Sequence, residues 1–181
     1  MKVEETVLPG VLIFQPLRFE DERGYFQETY RKERYSPFVG DSLEFVQDNE
    51  SRSLRGVLRG LHFQVEHPQA KLIRVNRGVI WDVAVDIDPT SNTFKQYVAV
   101  ELSADNCKQL FIPAGYAHGF CTLSQTAEVS YKCSNYYRAE DECGLLWNDP
   151  ELNIDWPIAN PILSPRDQQN SLLRDYLATG L

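Results

Sequence analysis

The sequence predicts a mainly β chain rolled into a jelly-roll barrel, with short helices, one of them at the C-terminus. Three observations carry that expectation. Apolar and polar residues alternate in many short runs, as in KQYVAVELS, where Tyr97, Ala99 and Glu101 share one face and Val98, Val100 and Leu102 the other. Glycine, proline and Asn/Asp/Ser clusters punctuate those runs at NRG, IDPTSN, SADN and PAGYAHG. Helical patterning is confined to two short segments. Many short strands with turns between them bury their apolar faces by stacking or closing, which gives a sandwich or a barrel.

Along the chain, strands are predicted at Val11–Leu17, Tyr25–Tyr30, Leu43–Asp48, Gly56–Gln64 and Lys71–Val75. Further strands are predicted at Val79–Asp86, Gln96–Leu102, Gln109–Ile112, Gly119–Thr122 and Glu128–Cys133. A short helix is expected near Lys32–Phe38. A second, C-terminal helix begins with Ser164 as N-cap, Pro165 at N1 and Asp167 at N3, and carries the stripe Leu172, Leu173, Tyr176 and Leu177. No internal repeat, low-complexity segment or linker interrupts the pattern, so residues 1–181 are read as a single domain.

The 181 residues suffice for one domain with a proper core, and the apolar 43% and charged 24% are ordinary for a globular protein. The longest apolar runs, such as Gly10–Phe14, are too short to span a bilayer. The start, MKVEETVLPG, lacks the basic and apolar regions of a signal peptide, so a cytoplasmic protein is expected. A net charge of −8 argues against general nucleic-acid binding. The basic residues nevertheless cluster between Arg52 and Arg77, where Glu66 is the sole acid. Such a stretch suits a small polyanion, and equally a solvated charged face.

Cys107, Cys121, Cys133 and Cys143 show no C-x-x-C pairing and no histidines at zinc spacing, so reduced thiols are expected. Only His62, His67 and His118 are available for histidine chemistry. On strict alternation Leu58, Gly60, His62 and Gln64 share a face whose polar end suggests a pocket. His118 lies where a turn enters a strand, and His67 reads as a loop residue. Barrels of this kind that hold iron, manganese or zinc present a His-x-His pair, but two positions after His62 stands Gln64. No metal site is therefore expected. P-loop, G-x-G-x-x-G and G-x-S-x-G motifs are absent, leaving acid–base chemistry without a cofactor.

Read together, DERGYFQETY, EFVQDNESRS, VLRGLHFQ, QAKLIRV, WDVAVDID, FIPAGYAHGF, SYKCSNYY, LLWNDPELNIDWP and LSPRD resemble the dTDP-4-dehydrorhamnose 3,5-epimerase family. The resemblance runs in order from about the twentieth residue to the start of the last helix. It implies a cupin-like jelly roll that forms homodimers, uses no metal or organic cofactor, and acts on dTDP-4-dehydro-6-deoxy-D-glucose in dTDP-L-rhamnose biosynthesis. It implies further that His62 is the proton acceptor, Tyr131 the proton donor and Asp167 the carboxylate partner of His62. Arg23, Glu28, Gln47, Asp48, Asn49, Arg59, Lys71, His118, Glu142 and Arg166 would contact the nucleotide sugar. Arg166 stands where lysine is expected, keeping the charge and changing its reach.

The chemistry fits these residue types. A ketone at C4 acidifies the protons on C3 and C5, and inversion needs a base on one face and an acid on the other. Histidine, with an ordinary pKa of about 6.5, suits the base, and a phenol holds its proton at neutral pH. Lys71 or His118 would meet the developing oxyanion, and arginines match phosphate oxygens in pairs. Structural readings stand beside these. The structural reading of Asp167 is a helix cap, and that of Tyr131, Tyr136 and Tyr137 is packing. Asp82 and Asp86 are either pocket groups or strand ends. Arg59 and His62, three apart, face opposite ways unless Gly60 permits a bulge. Other functions in view are a mono-epimerase acting at C3 or C5 alone, a ketoisomerase on a related dTDP-4-keto-deoxysugar, and a non-catalytic binding module.

Overall fold

A strand covered on both faces reads as a nearly continuous apolar run, and the central strands of this chain have that character. The computed structural model describes residues 1–179. Its elements in chain order are β1 (Lys2–Glu5), β2 (Leu12–Gln15), β3 (Arg18–Asp21), β4 (Gly24–Gln27), α1 (Lys32–Val39), β5 (Gln47–Leu54), β6 (Leu58–Gln64) and β7 (Lys71–Arg77). They continue with β8 (Val79–Asp86), β9 (Tyr97–Ser103), β10 (Gln109–Ile112), β11 (Tyr116–Thr122), β12 (Thr126–Cys133), β13 (Glu142–Gly144) and α2 (Leu173–Ala178). Two main sheets run β1-β2-β10-β7-β12-β5 and β13-β6-β11-β8-β9, with β3 and β4 forming a separate hairpin. The fold is the mainly β barrel that the alternation predicts.

The sheets bury one cluster between them. Ile73, Val75, Leu110, Ile112 and Val129 of the first meet Ile80, Ala84, Val100, Leu102 and Phe120 of the second. The outer face of the second sheet packs Leu58, Leu61, Phe63, Val83 and Val85 against Leu145, Leu152, Trp156 and Leu173 from the C-terminal segment. The outer face of the first packs Leu12, Phe14, Leu72 and Phe111 against Tyr35 of α1. Each fully buried side chain of this size contributes about 1.5–3 kcal/mol. The Tyr35 hydroxyl also donates to Gln109 Oε1 at 2.9 Å, satisfying a glutamine inside the sheet.

Several elements depart from expectation. The strand predicted at Leu43–Asp48 lies instead at Gln47–Leu54. Leu43 and Phe45 pack as loop residues against the α1 cluster. The strand itself is polar because its alternate side chains face a pocket rather than the core. β1, β3 and β13 are short sheet edges or hairpin strands with little apolar patterning. The expected C-terminal helix is broken in two. Asp167–Gln169 form a single 3-10 turn, Asn170 adopts an extended ψ of 150°, and the chain re-enters helix only at Leu173. Residues 180 and 181, the end of the anticipated domain, lie outside the described residues. Among the described residues no helix is long and apolar enough to cross a membrane.

Candidate active site

The site begins with an irregularity in β6. His118 of β11 pairs with His62, but Phe120 pairs with Arg59, so Gly60 and Leu61 together oppose Gly119. This bulge overrides strict alternation. Leu58, Leu61 and Phe63 join the outer cluster, while Arg59 and His62 both line the same pocket. Gly60 takes a φ of 119°, and a Cβ there would lie 2.5 Å from Gly119 Cα, so the position admits no side chain.

The pocket holds about 540 Å³ and is walled by β5, β6, β7, β11 and β12, with the 162–167 segment across one side. His62 Nε2 lies 2.6 Å from Asp167 Oδ1. Asp167 is buried, and its other oxygen accepts from the Ser164 hydroxyl at 2.9 Å. Its backbone N–H in turn donates to Ser164 Oγ at 3.0 Å. The helix that Asp167 is expected to cap does not start at Ser164, and the carboxylate bonds His62 and the Ser164 hydroxyl instead. Burial pushes the Asp167 carboxyl up, but the hydrogen bond and charge of His62, with Ser164 and the Gly60 N–H, leave it below the usual carboxylate range.

His118 is similarly held, with Nε2 at 3.0 and 3.2 Å from the two oxygens of Asp82. Tyr131 lines the pocket from β12, and its hydroxyl makes no hydrogen bond among the described residues. Burial raises its pKa, so the phenol keeps its proton at neutral pH. Lys71, opposite Cys133 on β7, makes no ion pair among the described residues. Burial lowers its pKa, against the attraction of Cys133, Glu142 and Asp82. Glu142 from β13 accepts from the Tyr137 hydroxyl at 2.9 Å, pairs with Arg166, and stands 3.9 Å from His62 Nδ1. Gln47 and Asn49 line the pocket from β5 and bond each other at 2.9 Å. Arg59 Nε donates to Ser53 Oγ at 3.0 Å.

Three anticipated residues stand apart. Asp48 points to the other face of β5 and pairs with Lys132 at 2.9 Å, as alternation between Gln47 and Asn49 requires. Arg23 sits on the exposed β3–β4 hairpin, paired with Asp21. Glu28 pairs with Arg34 at 3.1 Å. None of the three lines the pocket of its own chain. Tyr137, read from sequence as a packing residue, does line it; its signal was position, five residues before Glu142. Asp82 does not line the pocket but bonds His118, which does, whereas Asp86 ends its strand by bonding Ser91 and Thr93. Among the described residues no grouping of three His, Cys, Asp or Glu could hold a metal ion. The Gln64 amide, where a metal barrel needs its second histidine, donates to the His67 carbonyl at 2.8 Å and accepts from the Arg138 N–H at 2.8 Å.

The arrangement offers a histidine base backed by a carboxylate, a protonated phenol, and cations in one cleft, which suits proton transfer beside a carbonyl. Comparison with known proteins agrees. The family model described as dTDP-4-dehydrorhamnose 3,5-epimerase matches residues 5–175. The dTDP-4-dehydrorhamnose 3,5-epimerase of Shigella flexneri is 52% identical over 92% of this chain and 93% of its own length. That of Escherichia coli K12 is 50% identical over 100% and 99%. The crystal structure of dTDP-6-deoxy-D-glucose-3,5-epimerase from Legionella pneumophila Philadelphia 1, in complex with dTDP-4-keto-L-rhamnose, superposes with a TM-score of 0.93 at 45% identity, covering 96% of this chain and 93% of that one.

Proposed function

The chain belongs to the dTDP-4-dehydrorhamnose 3,5-epimerase family, and from that premise we propose how its residues divide the reaction. The activity is that of an isomerase. It inverts C3 and C5 of dTDP-4-dehydro-6-deoxy-D-glucose to give dTDP-4-dehydro-L-rhamnose, a step of dTDP-L-rhamnose biosynthesis. His62 removes the proton beside the 4-keto group, one ring nitrogen being held by Asp167 and the other left to accept. The enolate oxygen is met by Lys71 or His118. Tyr131 returns a proton to the opposite face; His62 then gives up its proton to solvent and Tyr131 regains one from it, so that repetition at the second carbon completes the double inversion. The observation that carries this reading is the bulge-driven convergence of His62 with Arg59, opposite Tyr131, in one pocket.

No metal or organic cofactor enters this scheme. Purified protein should convert dTDP-4-dehydro-6-deoxy-D-glucose to the double epimer, followed by NMR, at a rate unchanged by exhaustive EDTA treatment. Loss of turnover restored by a divalent ion would overturn the cofactor-free reading, and absence of conversion would overturn the reaction itself.

Arg59, Arg166, Gln47, Asn49 and Glu142 bind the nucleotide sugar in this reading. Arg59→Ala is expected to weaken dTDP binding by about 1.5–3 kcal/mol, the range for charged hydrogen bonds, as read by calorimetry. Unchanged affinity would remove Arg59 from the site.

The protein works as a homodimer in the cytoplasm. The β3–β4 hairpin leaves Phe19, Tyr25 and Phe26 more than half exposed, a patch that a second copy would cover. Arg23 and Glu28, lying on or beside that hairpin, would then serve the partner's pocket. One cluster shared by both main sheets supports reading residues 1–181 as a single epimerase domain.

A further inference from the structure

Five aspartates of this chain are buried: Asp82, Asp86, Asp141, Asp149 and Asp167. Taking a carboxylate out of water costs several kcal/mol unless hydrogen bonds replace its hydration, so each needs an account of what it bonds. Three are clamps on the backbone. Asp141 accepts from the N–H groups of Val65, Glu66 and His67. Asp149 accepts from those of Glu151, Leu152 and Leu173. Asp86 accepts from the Asp88 N–H and from the Ser91 and Thr93 hydroxyls. The fourth, Asp167, bonds His62 and Ser164.

Asp82 is different. It is fully buried at 0% exposure, and it organises no loop and caps no helix. Among the described residues its side chain bonds a single group, Nε2 of His118, which approaches both of its oxygens at 3.0 and 3.2 Å. Nothing in the architecture uses a charge at this point of β8. The cost of burying it is offset only through a histidine that faces the pocket.

Resting on the epimerase reading above, we propose that Asp82 is a positioning residue, which by bonding His118 holds that ring in place at the substrate-facing wall of the pocket. A carboxylate only accepts, so Nε2 of His118 carries the proton in this pair. The ring plane is thereby fixed, and Nδ1 is the nitrogen left for the substrate. His118 and His62 are register partners across β6 and β11, so the two carboxylate–histidine pairs stand side by side in one site. They are not equivalent. Asp167 also bonds Ser164 and lines the pocket, whereas Asp82 lies behind His118 and bonds that ring alone. The charge of Asp82 also reaches Lys71, whose charged form it supports against burial.

The test is a double-mutant cycle on the intact enzyme, with dTDP-4-dehydro-6-deoxy-D-glucose as substrate and dTDP as binding probe. Asp82→Asn keeps the shape and an acceptor oxygen but removes the charge. It is expected to lower kcat by about ten- to a hundred-fold, as loss of carboxylates that orient site histidines does, with KM and dTDP affinity within about threefold. Placed on His118→Ala, the same change should cost little more, because Asp82 acts through that ring. Equal losses in both backgrounds, a kcat within twofold of wild type, or a parallel loss of dTDP binding would each overturn the proposal. Should Asp82→Asn not fold, ¹⁵N NMR of histidine-labelled wild type decides. A proton on His118 Nε2, with the Nδ1 signal moving when product binds, is expected; an unprotonated Nε2 contradicts it. Wild type without turnover would sink the epimerase reading instead, so the two failures are distinct.

Discussion

Replacing His62 by alanine is expected to abolish both solvent exchange at the reacting carbons and epimerisation. His118, the other carboxylate-backed histidine of the pocket, is held by Asp82 and does not take over the role of His62. The base initiates every later event, since without an enolate there is nothing for Tyr131 to reprotonate. A general base contributes about a hundred- to ten-thousand-fold in rate, so the loss should be plain in any assay. The variant also leaves Asp167 without its ring partner, and losing a partner of a buried acceptor costs about 1–3 kcal/mol. His62→Asn is the better control, because it retains an amide donor toward Asp167 while supplying no base. Both variants should still bind dTDP. A folded His62→Ala enzyme with near-normal exchange would remove His62 from the mechanism.

Tyr131→Phe should separate the two half-reactions. If the phenol only delivers a proton to the far face, His62 can still form the enolate and return the proton from its own side. Deuterium exchange then outruns inversion, by up to the same hundred- to ten-thousand-fold range in the inversion rate. The change is small in volume, and the Tyr131 hydroxyl bonds nothing among the described residues, so stability should change little. A Tyr131→Phe enzyme that inverts at the normal rate would return the residue to its packing role against the central cluster, where its ring also lies.

How much of this was legible in the sequence depends on which force set each feature. The barrel strands β7 to β12 were readable because period-two alternation and turn residues record burial on a sheet. β5 was misplaced because its inward face, Gln47, Asn49 and Ser51, lines a polar pocket, so the apolar run at Leu43–Val46 misled. The convergence of Arg59 and His62 depended on a bulge that Gly60 permitted but did not by itself announce. Asp167 was visible as a cap; its bond to His62 spans 105 positions and could be anticipated only through family resemblance. Asp82 stood in plain view within WDVAVDID, yet only its single partner, His118, distinguishes it from Asp86, which is also buried on the same strand. Arg23 and Glu28 lie outside the pocket of their own chain, on or beside the β3–β4 hairpin, paired with Asp21 and Arg34.

The central claim is that one pocket removes and returns protons at two carbons flanking the ketone. Incubating the wild-type protein with dTDP-4-dehydro-6-deoxy-D-glucose in D2O, with NMR of the recovered sugar, tests it most directly. Deuterium at both C3 and C5, each with inverted configuration, is the predicted result. Label at only one carbon would make this a mono-epimerase, and inversion without label at either would contradict proton abstraction altogether.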